Sequence, residues 1–127
     1  MSVNVFIVQA VNPNWTSAGV NVGNGQRIWV DTQSIGLWDA YPVGIYPPGD
    51  ANRFYYIYPG YTYALDTAPN LSPGALVGKV GTNTPFFVGD VLVNYALSGT
   101  GPLSMIINDS YYPDNTGAQM VRVIVVQ

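Results

Sequence analysis

The chain has 127 residues, of which 48% are hydrophobic and only 9% charged, with a formal net charge of −3. That length supports one domain around one core, and the composition excludes a self-repelling disordered chain. Lys and Arg total four, so there is no basic footprint for nucleic acid or an anionic membrane. With no apolar run near the ~18 residues of a spanning helix, no membrane insertion is expected.

The chain has neither Cys nor His. Disulfides, thiolate nucleophiles, zinc fingers and Ser-His-Asp triads are therefore ruled out. All seven acids are Asp (31, 39, 50, 66, 90, 109 and 114). Asp favours turns and caps, whereas Glu favours helices. With 14 Gly, 10 Pro and 10 Tyr, the composition reads as all-β.

Alternating apolar runs bounded by Gly, Pro, Asn and Asp predict strands in chain order. They cover residues 3–11, 26–32, 36–40, 53–58, 62–65, 75–80, 85–88, 91–96, 103–107 and 119–126. Turn signals separate them, among them Gly23-Asn24-Gly25, where Asn24-Gly25 calls for positive φ. The spacing predicts a β-sandwich or barrel filling residues 1–127 as one domain. The opening residues, MSVNVFIVQAV, read as a first strand and not as a signal peptide.

Two of these runs are apolar on both faces. In 119–126, Val121, Val123 and Val125 alternate with Met120, Ile124 and Val126, interrupted only by Arg122. In 3–11, Val5 and Ile7 oppose Phe6 and Val8. One layer of a sandwich should be polar outside. A covered outer face is therefore expected, by another subunit or by the chain's own loops. A mean hydropathy of +0.16 points the same way. Trp15, Trp29 and Trp38 read as core, and Lys79, between glycines in an apolar run, reads as exposed or snorkelling.

The densest oxygen cluster is Asn108-Asp109-Ser110-Tyr111-Tyr112-Pro113-Asp114-Asn115-Thr116-Gly117. Hard cations such as calcium take six to eight oxygen ligands from carboxylates, amides, backbone carbonyls and water. Asp109 converges with Asp114 and Asn115 if the chain folds back at Pro113. The spacing is not that of an EF-hand, and magnesium suits an irregular cage less well. The alternative is a polar hairpin whose side chains cap their own backbone.

Four motifs recur in one order: Gly36-Leu37-Trp38-Asp39-Ala40-Tyr41; Pro48-Gly49-Asp50; Gly74-Ala75-Leu76-Val77-Gly78-Lys79-Val80-Gly81; and Ile107-Asn108-Asp109 with Asp114-Asn115-Thr116-Gly117. Together they resemble the small calcium-dependent, galactose-binding bacterial lectins of the LecA (PA-IL) type. The resemblance runs from about residue 20 to the C-terminus. It implies a sandwich of two mostly antiparallel sheets, with a calcium ion at one end that the sugar touches directly.

By that resemblance the metal ligands are Asp109, Asp114 and Asn115, the backbone carbonyl of Tyr41, and a carbonyl from the 110–113 loop, nominally that of Tyr111. The sugar would meet Tyr41, Asp50, Arg53, Tyr56, Asp109, Ser110 and Asp114. The family's galactose contacts include a His and a Gln, whose positions fall near Arg53 and Tyr56. No His exists in this chain, so the expected ligand is a galactoside or another glycan.

The aromatic run 54–63 offers rings and hydroxyls for sugar stacking or, equally, aromatic cross-strand pairs. The expectation is a non-enzymatic, calcium-dependent carbohydrate-binding protein, homo-oligomeric as a dimer or tetramer. The alternative is a calcium-stabilised structural or adhesion module without sugar binding. Nothing aligns the paired carboxylates that a glycosidase needs. Members of the family lack a cleavable leader yet can leave the cell. Cytoplasmic synthesis, with a non-classical route to the exterior or cell surface, is the corresponding expectation.

Overall fold

Alternation is clearest near the C-terminus. Val121, Val123 and Val125 are buried while Met120, Arg122 and Val126 are exposed, the period-two signature of a strand with one face on a core. The structure is a computed structural model, and it describes residues 1–39, 67–71 and 73–126. Among them are eight strands: β1 (Ser2–Gln9), β2 (Thr16–Val22), β3 (Arg27–Asp39), β4 (Leu76–Val80), β5 (Phe86–Phe87), β6 (Val91–Ala96), β7 (Gly101–Ile107) and β8 (Thr116–Val126). The expected strands at 53–58 and 62–65 lie outside the described residues.

The strands form two sheets of four, ordered β1-β8-β3-β6 and β2-β7-β4-β5, and the paired strands run antiparallel. This is an all-β sandwich, one of the two architectures that the turn spacing predicts and the one that the family resemblance implies. Val8, Ile28, Val30, Val121 and Val123 come from the first sheet. Leu76, Val80, Leu103, Met105 and Ile107 face them from the second, all at most 2% exposed. Each such side chain contributes about 1.5–3 kcal/mol by leaving water. At one flank Phe86 of β5 stacks on Tyr95 of β6, with ring centroids 4.9 Å apart, which closes the seam between the two sheet edges. Gly78 lets them approach: a Cβ there would lie 2.9 Å from Phe86 Cζ and 3.2 Å from Val88 Cγ2.

Two expectations are corrected. The runs at 26–32 and 36–40 are one long strand, β3. Gly36 takes φ +73° and the pairing with β8 slips between Ile35 and Asp39. The strand bulges there and continues instead of ending. Strand β2 is absent from the predicted runs: Ala18, Val20 and Val22 alternate inward against Ser17, Gly19 and Asn21, but the run is short, and Gly19 (φ +77°) and a register shift between Ser17 and Asn21 interrupt its pairing with β7.

Trp38 is fully buried, and its Nε1 donates to the Gly74 carbonyl at 2.9 Å. Trp15 packs against the core only in part, and its ring lies under Lys79 Nζ at 4.5 Å from the centroid. Trp29 is half-buried on the outer face of β3, so it is not core. In the Asn24-Gly25 turn, Gly25 takes the positive φ, +84°, and Asn24 does not.

The outer face of the first sheet is open to solvent. Val3, Val5 and Ile7 of β1 and Val91 and Val93 of β6 are 48–68% exposed. Among the described residues, no loop covers those side chains.

Candidate functional site

One pole of the sandwich gathers the C-terminal ends of β1, β3 and β7 and the start of β8. Gln9 pairs with Ala118, Asp39 with Thr116, and the Ala10 N–H donates to the Gly117 carbonyl at 3.0 Å. The 108–115 loop, joining β7 to β8, crosses this pole. Its fold follows from where its polar groups find partners.

Asn108, fully buried, anchors the loop's entry. Its Nδ2 donates to the carbonyls of Ala68 (2.9 Å) and Leu71 (3.1 Å), and its Oδ1 accepts the Ala68 N–H (2.8 Å). This carboxamide ties two loops together, so the sequence reading that counted it among the available oxygens is corrected. Tyr112 anchors the middle. Its hydroxyl donates to the Ile107 carbonyl at 2.9 Å and shares a 2.7 Å hydrogen bond with Thr67 Oγ1. Thr67 in turn holds the Asp109 carbonyl through its N–H at 3.0 Å, with its hydroxyl oxygen 3.1 Å from the same carbonyl. A turn closed by the Asn115 N–H on the Tyr112 carbonyl (3.0 Å) then folds the chain back at Pro113 and Asp114.

The fold-back brings Asp109 close to Asp114 and Asn115. Asp109 Oδ1 accepts the Ser110 N–H at 2.7 Å. Asp109 Oδ2, Asp114 Oδ1 and Asn115 Oδ1 are buried without any hydrogen-bond partner. Burial raises the Asp109 carboxyl above its ordinary value. The Ser110 N–H, the Asn115 side chain and the Tyr111 N–H pull it down, and the Asp114 carboxylate pushes it up again. The Asn115 amide is pinned by a 2.8 Å bond from Nδ2 to the Ala10 carbonyl, which fixes Oδ1 away from β1. Among the described residues no group of three or more acidic side chains converges. The cluster is two carboxylates and one carboxamide.

Each orphaned buried acceptor costs about 1–3 kcal/mol, and two neighbouring carboxylates add repulsion. A hard cation would satisfy the three oxygens together and neutralise the charge. A donor set of oxygens alone fits calcium and does not fit zinc, which favours nitrogen and sulfur. Ser110 and Tyr111 are exposed beside the cluster. Tyr41, Asp50, Arg53 and Tyr56 lie outside the described residues.

No family model and no curated protein matches the chain. Among solved structures it is similar to a PllA-like lectin, the EclA N-terminal domain, with a TM-score of 0.72 at 20% identity over 97% of this chain and 96% of that one. This chain has that lectin domain's fold. The match spans nearly all of both chains, so the sandwich is shared as a whole and not as a fragment.

Within this lectin fold, the sequence reading missed Thr67, which holds both Asp109 and Tyr112, and Ala10, whose carbonyl positions Asn115. No local signal marks either residue, since each acts through a backbone or hydroxyl group from a distant loop. Gln119 was likewise unmarked. It is fully buried, donates from Nε2 to Ser34 Oγ at 2.7 Å, and its Oε1 has no partner.

Proposed function

We propose that the chain is a calcium-dependent, non-enzymatic carbohydrate-binding lectin of the LecA-like kind, taking a galactoside or a related glycan at the 108–115 pole. One observation carries this reading: three buried, partnerless oxygens, from Asp109, Asp114 and Asn115, meet at one pole of a lectin sandwich. The carbonyls of Tyr41 and of Tyr111 or a neighbour complete the nominated oxygen set.

Asp109 and Asp114 provide the negative charge that selects a divalent cation, and Asn115 adds a neutral oxygen. When bound, calcium supplies coordination positions that two adjacent sugar hydroxyls can fill in place of water. The hydroxyl hydrogens then donate to carboxylate oxygens of Asp109 and Asp114, giving charge-assisted bonds. The exposed Ser110 hydroxyl, together with Asp50, Arg53 and Tyr56, would read the rest of the sugar. Exchange of water for hydroxyl gains little net energy, so single-site affinity should fall between about −4 and −8 kcal/mol, millimolar to micromolar.

The deciding experiment is a glycan array, followed by calorimetry, in calcium and in chelator. Calcium-dependent binding of a galactoside or another glycan supports the lectin. A calcium-dependent rise in melting temperature without glycan binding indicates instead a calcium-stabilised structural or adhesion module. Absence of any calcium effect removes both readings.

A further inference from the structure

The pole opposite the 108–115 loop carries a groove of about 570 Å³. There β4 ends at Val80 and β7 begins at Gly101, whereas Leu76 and Ile107, at the other ends of the same two strands, pair beside that loop. Thr82, Asn83 and Thr84 of the β4–β5 turn line the groove with Ser98 of the β6–β7 turn, and Phe86 and Tyr95 supply two rings. The turn residues are exposed and both rings are half-buried.

Tyr95 reaches this groove because β6 bulges. Leu92 lies opposite Val30 and Tyr95 opposite Ile28, so three steps along β6 match two along β3. Directly opposed residues share a face of the sheet, and Val30 and Ile28 are both core residues. A regular strand would send Tyr95 to the outer face with Val93. The slip turns it inward instead, onto Phe86, with ring centroids 4.9 Å apart. Asn94 takes φ +51° at the slip, and among the described residues no other non-glycine has a positive φ. Its carbonyl accepts from Arg27 Nη1 at 2.8 Å, which holds the bulge. Bulges and such backbone strain recur where a side chain is re-aimed toward a site.

The rim is built in advance. Asn83 donates from Nδ2 to the Ser98 carbonyl at 3.0 Å, and Asn24 Oδ1 accepts the Gly99 N–H at 2.9 Å. These bonds tie the β2–β3, β4–β5 and β6–β7 turns together. Gly99 (φ +93°) permits the closeness, because a Cβ there would collide with the Asn83 carboxamide. The Asn83 oxygen and the hydroxyls of Thr82, Thr84 and Ser98 take no part in these ties.

We infer that this groove is a second binding site, one that takes an uncharged glycan without a metal ion. Charge is the first argument. No Asp, Lys or Arg lines the groove. It therefore has no counter-charge for a phosphate, a carboxylate or an ammonium group, and no carboxylate with which to hold calcium. Polarity pattern is the second. A sugar has C–H faces that pack on aromatic rings and hydroxyls that exchange hydrogen bonds with hydroxyls and amides. Tyr95 and Phe86 give the apolar wall, and the turn side chains give the polar rim. The volume falls within the ~300–1,000 Å³ of ligand sites.

This site stands without the lectin reading of the 108–115 pole. Joined to it, the two sites lie at opposite ends of one sandwich, so a single chain bridges two glycan-bearing surfaces.

The test is an NMR titration of the full chain in chelator, which leaves the 108–115 pole without calcium. The probes are the methyl glycosides of glucose, galactose, mannose and N-acetylglucosamine, each to about 50 mM. At least one should shift the amides of Thr82, Asn83, Thr84, Phe86, Tyr95 and Ser98 in a saturable way, and should do so equally in Asp109→Asn. Inorganic phosphate should not. Thr84→Ala and Ser98→Ala, both at exposed positions, should melt as the parent chain does and each weaken binding by about two- to tenfold. Tyr95→Ala should abolish binding, and because it also removes the partner of Phe86, the two hydroxyl variants carry the decision. No saturable shift with any glycoside, shifts confined to other residues, a stronger response to phosphate, or parent-like affinity in both hydroxyl variants would each overturn the inference.

Discussion

Asn115 donates from its side chain to the Ala10 carbonyl at 2.8 Å across 105 residues of sequence. The bond joins the last residue of the polar loop to the end of β1, and it decides which way the Asn115 oxygen points. Stability and candidate metal binding therefore share one side chain. Replacing Asn115 by Ala should lower the melting temperature even in chelator, because the Ala10 carbonyl loses its partner. The expected loss is about 1–2 kcal/mol, or roughly 3–8 °C. Thermal unfolding in chelator reads it. An unchanged melting temperature would show that the Ala10 contact carries no weight.

Asp109→Asn should behave in the opposite way. Its carboxylate is half-buried beside Asp114, so removing the charge relieves repulsion and leaves melting in chelator unchanged or slightly raised. In calcium the variant should lose the ligand-induced rise. For the parent chain that rise is about 2.7 kcal/mol when calcium exceeds its dissociation constant a hundredfold. Melting curves of both proteins, with and without calcium, give the comparison. A full calcium shift retained in Asp109→Asn would remove this residue from the site.

Acid should act with opposite sign on the two states. Burial first, then Asp114, holds the folded Asp109 carboxyl above 3.8. A carboxyl raised on folding adds stability that is complete below the unfolded value and lost as pH rises through the folded one. In chelator, this group therefore gives the parent chain a gain over Asp109→Asn as pH falls from neutral toward that window. In calcium the parent chain loses stability over the same descent, because carboxylate ligands must stay ionised. Parallel melting series of the two proteins isolate the effect. Identical pH slopes in chelator would place the perturbed group elsewhere.

Much of the sandwich was legible because its strands alternate cleanly, as in β8, where Val121, Val123 and Val125 turn inward. Alternation failed where the backbone departs from a flat ribbon. Gly36 divided β3 on paper, whereas β2 alternates Ala18, Val20 and Val22 inward over a run too short and too weakly apolar to stand out. The loop oxygens were legible as a composition, since two Asp and two Asn fall within eight residues. Which carboxamide serves the fold and which faces the cluster was not. Asn108 and Asn115 look alike in sequence, and the difference lies in Ala68, Leu71 and Ala10, which only the tertiary structure brings near them. The open apolar face was legible as two-faced strands, but the pairing of Arg122 with Asp31 on it required the register of β3 against β8.

Gly78→Ala tests the approach of the two sheet edges. The added methyl would stand 2.9 Å from Phe86 Cζ, so the Phe86–Tyr95 stack must shift. A loss of about 1–3 kcal/mol is expected from overpacking, with no change in calcium affinity, since the 108–115 loop lies on other strands. Denaturant unfolding combined with calcium titration separates the two readouts. A neutral substitution would mean that the Phe86 ring yields freely.

Tyr112→Phe separates loop order from ligand identity. The ring stays in the core, but the hydroxyl that joins the Ile107 carbonyl to Thr67 is lost. Thr67 also holds the Asp109 carbonyl, so the variant loosens the residue that carries a proposed ligand without touching a ligand oxygen. Stability in chelator should fall by about 1–2 kcal/mol. Calcium affinity should fall severalfold and not vanish, in contrast to Asp109→Asn. Calorimetric titration of calcium at fixed pH makes the distinction. Parent-like affinity in Tyr112→Phe would mean that Pro113 and the 112–115 turn alone hold the loop in place, and that Thr67 and Tyr112 serve only the core.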